Sequence, residues 1–151
     1  MDHHKWRAVN MVMARTKHSI EMYIDAMNKL EEKARACYEG TISLSSYEFT
    51  KMLVLDGCFV LELFRGADKG FSVLGYGRND PVFATRGLMH LIQRDMVMLE
   101  NQLPLFVLNR LLELQLRTQN QPGLVARLAI RFFNPLMPTD NPFTKTNQFD
   151  T

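Results

Sequence analysis

Residues 45–64 constrain the fold of this chain more than any other stretch. Ser45-Ser46-Tyr47-Glu48 has the spacing of a capping box, in which a serine hydroxyl and a glutamate carboxylate satisfy each other's backbone N–H groups at a helix start. Residues 49–64 follow and are apolar on nearly every side, which predicts a helix buried at the centre of a core. A hairpin competes for the same residues, because Asp56-Gly57 is a strong two-residue turn signal. The helix is preferred, since the capping box and Gly66 bracket a stretch too long for one strand.

The other segments supply helices to pack around that centre. Residues 5–14 predict a short helix, with Trp6, Val9, Val12 and Met13 at helical spacing. Ser19 is placed to cap the next one, whose stripe of Ile20, Tyr23, Ile24, Met27, Leu30, Ala34 and Cys37 runs to a stop at Gly40. Gly66, Gly70, Gly75 and Gly77 make residues 66–80 a Gly-rich loop. Asp80-Pro81 resembles a helix start, and residues 87–100 form the helix, broken before Pro104. Two more follow, at residues 105–116 and 122–133, and the Pro-, Asn- and Thr-rich residues 135–151 make a flexible tail. The expected fold is all-α: one irregular domain over residues 1–134 with about six helices around a single core.

Composition narrows the function classes. A hydrophobic fraction of 46% and a charged fraction of 23% are those of a globular chain, and a net charge of +2 gives no nucleic-acid stripe. Within residues 104–134, Arg110, Arg117, Arg127 and Arg131 face Glu113 alone, a mildly basic surface without the interleaved aromatics of a single-strand binder. The charged start, MDHHKWRAVN, has no apolar signal-peptide core, so Cys37 and Cys58 are expected as free thiols in the cytoplasm. The most apolar run, residues 52–64, is too short to cross a bilayer and contains Asp56 and Glu62.

No group of residues has the spacing of a catalytic, cofactor or metal site. His3 and His4 are adjacent, His18 and His90 stand alone, and an HExxH motif, paired CxxC motifs and a phosphate loop are absent. Gly75-Tyr76-Gly77 lacks a leading strand and a third glycine, so a linker explains it better than a nucleotide loop. Asp56 and Glu62 lie six residues apart and point to different faces; an acid/base couple competes there with carboxylates paired to arginine or backbone at the core edge, and the second is preferred. Asp95, Glu100, Asn101 and Gln102 gather before Pro104, where polar groups satisfy a broken helix end, so they too read as a structural corner. In residues 123–134 the apolar Leu124, Val125, Leu128, Ile130, Phe132 and Phe133 alternate with Arg127 and Arg131. That segment either packs on the chain's own core or docks on a membrane or partner, and the first is preferred.

Two runs carry a resemblance. Leu53-Val54-Leu55-Asp56-Gly57-Cys58-Phe59-Val60-Leu61-Glu62-Leu63-Phe64 and Arg94-Asp95-Met96-Val97-Met98-Leu99-Glu100-Asn101-Gln102-Leu103-Pro104-Leu105-Phe106-Val107-Leu108, with His4-Lys5-Trp6-Arg7 and residues 30–38, resemble the plant family called domain of unknown function 247. The match covers most of residues 3–116, and LENQLP is its most specific part. The resemblance implies a helical plant protein with no established activity or cofactor, so no catalytic residues carry over. It also implies longer relatives that are held at the plasma membrane by a C-terminal helix, some of them linked to pollen recognition. This chain, ending at Thr151, is expected to be a truncated representative without that anchor. The expectation is a non-enzymatic interaction or regulatory module with an unknown protein partner. Peripheral membrane binding through residues 123–133 is the alternative, and a carboxylate hydrolase, with two of Asp56, Glu62, Asp95 and Glu100 about 5–9 Å apart, is the third reading.

Overall fold

The computed structural model describes residues 2–83, 103–117 and 123–133, and all regular structure among them is helical. Helix α1 spans Asp2–Thr16, α2 Ile20–Asn28, α3 Glu31–Arg35 and α4 Ser46–Lys69. A single turn, α5, spans Phe71–Leu74, followed by α6 at Leu105–Leu116 and α7 at Leu124–Phe133. The expected helix over residues 87–100 and the tail over residues 135–151 lie outside the described residues.

Helix α4 is the hub, and α1, α2, α5, α6 and α7 all pack on it. Its start is the capping box: Ser45 Oγ accepts from the Glu48 N–H at 3.1 Å, and Glu48 Oε1 accepts from the Ser45 N–H at 3.2 Å. From Leu53 to Phe64 the buried residues surround the helix axis, with Phe59, Leu61, Leu63 and Phe64 fully enclosed. No hairpin forms at Asp56-Gly57. Gly57 lies inside the helix, and a Cβ there would collide with the Leu111 side chain of α6, so its lack of a side chain serves a close helix–helix approach instead of a turn.

Two boundaries differ from expectation. The stretch after Ser19 is two helices, because the chain bends at Leu30 (φ −105°, ψ 1°), whose N–H bonds the Met27 carbonyl. The bend turns Ala34 onto α4 and leaves Cys37 exposed, where a straight helix would have kept both on one stripe. Ser19 occupies the cap position of α2 without making a capping hydrogen bond. The glycines from 66 onward do not form one loop either. Helix α4 runs through Gly66, which is buried under the Phe71 ring, and ends at Gly70 (φ 102°), while Gly75 (φ 107°) closes α5 in the left-handed conformation.

Arg35 organises the connection from α3 to α4. Its guanidinium donates to the carbonyls of Ile42 (3.1 Å), Leu44 (2.8 Å) and Ser45 (3.2 Å) and to Glu31 Oε2 (2.9 Å). It also lies 4.4 Å from the centre of the buried Phe49 ring.

Candidate functional site

The buried charge of α4 defines the polar centre of the molecule. Glu62 is 0% exposed. Arg15, from the last turn of α1, grips it with both terminal nitrogens, Nη2 to Oε2 at 2.6 Å and Nη1 to Oε1 at 3.2 Å, while Nη1 also donates to the Leu74 carbonyl at 2.9 Å. The Tyr76 hydroxyl donates to Oε1 at 2.6 Å. Glu62 therefore accepts three hydrogen bonds from two side chains, the arrangement that makes a buried carboxylate tolerable. Burial pushes the Tyr76 hydroxyl above its ordinary range, and the neighbouring Glu62 charge pushes it further. Tyr76 therefore stays a donor.

Asp56 faces elsewhere, about 120° away around α4. It meets Lys5 Nζ of α1 at 2.8 Å. A third carboxylate, Asp80, is buried and paired to Arg7 of α1, and its Oδ1 accepts from the N–H groups of Val82 (3.0 Å) and Phe83 (2.9 Å). Arg7 also donates to His4 Nδ1 at 3.0 Å. Burial opposes the Asp80 charge, but the Phe83 and Val82 amides and Arg7 together outweigh it and hold the carboxyl below its ordinary value of 3.8. Such a depressed group stabilises the fold above 3.8, and that contribution is lost as pH falls through its lower folded value. Asp80→Asn should therefore be less stable than wild type at neutral pH, with the gap closing below pH 3.8 in paired thermal melts.

Residues 95–102, with Asp95, Glu100, Asn101 and Gln102, lie outside the described residues. Pro104 occupies the N-cap position of α6 with extended backbone (φ −61°, ψ 140°), and its carbonyl accepts from the Val107 and Leu108 N–H groups. On α7 the apolar face is turned inward: Val125, Leu128 and Phe132 are buried, and Phe64 of α4 meets Phe132 and Phe133 at centroid distances of 5.1 and 5.9 Å. Arg127 and Arg131 are exposed, and Arg131 is ion-paired to Asp68 of α4.

The partners of the carboxylates, namely Lys5, Arg7, Arg15 and Tyr76, were not singled out from the sequence. A carboxylate inside an apolar helix demands a donor, but nothing local says which of many cations 47 residues away will reach it. Cys58 is buried one turn before Glu62; burial, and then the Glu62 charge, push its thiol well above the ordinary value. Alkylation of the native chain should label Cys37 alone, and a second adduct should appear by mass only after unfolding. Among the described residues no group of three or more His, Cys, Asp or Glu is arranged to hold a metal ion.

These features define an all-α domain whose buried charges tie α1 and the segment after α5 to one central helix. The chain belongs to the DUF247 family, described as plant protein of unknown function, whose profile matches residues 1–150. It is 35% identical over 88 residues to the UPF0481 protein At3g47200 of Arabidopsis thaliana, covering 58% of this chain and 17% of that protein. It is 29% identical over 100 residues to the putative UPF0481 protein At3g02645 of the same plant, covering 63% of this chain and 16% of that protein. The chain thus matches less than a fifth of the length of these curated relatives. No solved structure matches it significantly.

Proposed function

We propose that this chain is a non-enzymatic interaction module, a helical scaffold that presents surface side chains to another protein. The observation that carries this reading is the internal pairing of the two candidate acid/base groups that lie among the described residues. Asp56 is held by Lys5, and Glu62 by Arg15 and Tyr76, on separate faces of α4. A general acid or base must reach a substrate proton, and Glu62 is enclosed while Asp56 is bound to an ammonium. Outside, Tyr47, Val73 and Leu105 are large apolar side chains each more than half exposed. In this reading the module works in the reducing cytoplasm, where its two free thiols persist.

Affinity capture from plant extract by the intact chain tests the proposal. A protein retained by wild type and lost from a folded Tyr47→Ser, Val73→Ser, Leu105→Ser variant supports it. Equal retention by both, or hydrolysis of a model ester that Glu62→Gln abolishes, would overturn it.

Membrane contact through α7 is a second reading, favoured by the outward Arg127, Ile130 and Arg131. It is the weaker one, because Val125, Leu128 and Phe132, which would have to enter lipid, are already buried in the chain's own core. No described helix is long and apolar enough to cross a membrane. Liposome co-sedimentation unchanged by Arg127→Glu with Arg131→Glu would remove this reading.

A further inference from the structure

His4 stands one turn before Arg7 on α1, and Arg7 Nη1 lies 3.0 Å from His4 Nδ1. A guanidinium carries donors only, so Nδ1 must be the ring nitrogen without a proton, and the neutral ring keeps its hydrogen on Nε2. This hydrogen bond exists only while His4 is uncharged. Arg7 connects the ring to the interior. Its other terminal nitrogen is paired to the buried Asp80, whose Oδ1 accepts from the Val82 and Phe83 N–H groups. The Phe83 ring lies 4.2 Å, centre to centre, from Tyr76, and Tyr76 holds Glu62. Arg7 thus ties the first turns of α1 to residues 80–83.

The charges around His4 disfavour its protonation. On α1 these are Arg7, His3 and the chain's amino group, and from the segment after α5 there is Asp80. The carboxylate that α4 presents to the same part of α1, Asp56, is taken by Lys5. Burial first, then the Arg7 charge, with His3 and the amino group behind them, hold the ring below its ordinary value of 6.5, against a smaller opposing pull from Asp80. A base lowered in this way stabilises the folded chain above 6.5, and that contribution is lost as pH falls through the lower folded value.

We propose that His4 is the trigger of a pH-sensitive latch between α1 and residues 80–83: the neutral ring steadies Arg7 on Asp80, and the protonated ring lets it go. A proton taken from solvent by Nδ1 removes the acceptor and sets an imidazolium against a guanidinium. The two cations separate, Arg7 turns away from Asp80, and the hold of Asp80 on the Val82 and Phe83 amides weakens. Asp80 itself stays ionised throughout, because its carboxyl is held below 3.8. The latch is a property of the fold and stands whether or not the surface binds a partner.

Hydrogen exchange of the intact chain tests this, read at the Val82 and Phe83 amides as protection factors, which remove the intrinsic pH dependence of exchange. Between about pH 7.5 and about pH 5 the wild-type protection of both amides should fall about threefold or more. In His4→Gln a neutral acceptor that does not titrate replaces the ring, and protection should stay constant over the same range. The other three histidines, His3, His18 and His90, each changed to Gln, should leave the wild-type pH dependence in place. Wild-type protection that does not change with pH overturns the proposal. So does a pH dependence that survives His4→Gln, or one that vanishes when another histidine is replaced.

Discussion

Arg15→Met is expected to destabilise the chain by about 3–5 kcal/mol, because it leaves a buried carboxylate without its counter-charge. For a chain of this size that corresponds to a fall in melting temperature on the order of 10 °C. The cost is high because Glu62 is wholly enclosed and Arg15 supplies two of its three hydrogen bonds. Removing the whole cluster should be far milder. In Arg15→Met with Glu62→Leu and Tyr76→Phe no charge or hydroxyl is left to desolvate, and apolar side chains of similar volume fill the space, so most of the stability should return. Urea denaturation of the single and triple variants measures both. A single variant within about 1 kcal/mol of wild type would contradict this account of the Arg15–Glu62 pair.

Phe64→Ala should cost about 3–5 kcal/mol by the same measurement. Phe64 is fully buried and is the residue on which α7 closes, through the Phe132 and Phe133 rings. The cavity would lie under one short helix, so α7 should loosen before the rest. Hydrogen exchange within Leu124–Phe133 should then accelerate more than within α1 or α2. Phe64→Leu keeps most of the apolar volume and should lose little more than about 1 kcal/mol. Uniform acceleration through every helix would place the Phe64 contact in the global core and not at a local hinge.

Legibility followed the range of each interaction. The Ser45–Glu48 capping box could be read because both its hydrogen bonds close within three residues. The central helix could be read because its apolar residues surround the axis whatever packs on them. The bend at Leu30 could not, since it contains neither glycine nor proline and only the fold shows Ala34 buried after it. Gly66 was misjudged for a related reason: glycine marks a chain reversal in sequence, but here it makes room for the Phe71 ring inside a continuing helix. Of the candidate residues, Asp56 and Glu62 were recognised as needing partners, and their assignment to Lys5 and Arg15 required the tertiary fold. The family match rests on local runs of residues and was therefore visible from the start.

The way Arg35 holds the α3–α4 connection bears on how this family can diverge. Three of its contacts are to main-chain carbonyls, of Ile42, Leu44 and Ser45, which every residue type offers equally. Thr41 and Ser43 can therefore be replaced without disturbing that grip, whereas inserting or deleting one residue would move the carbonyls out of reach. Related chains that retain Arg35 should thus vary in the letters of this segment and agree in its length.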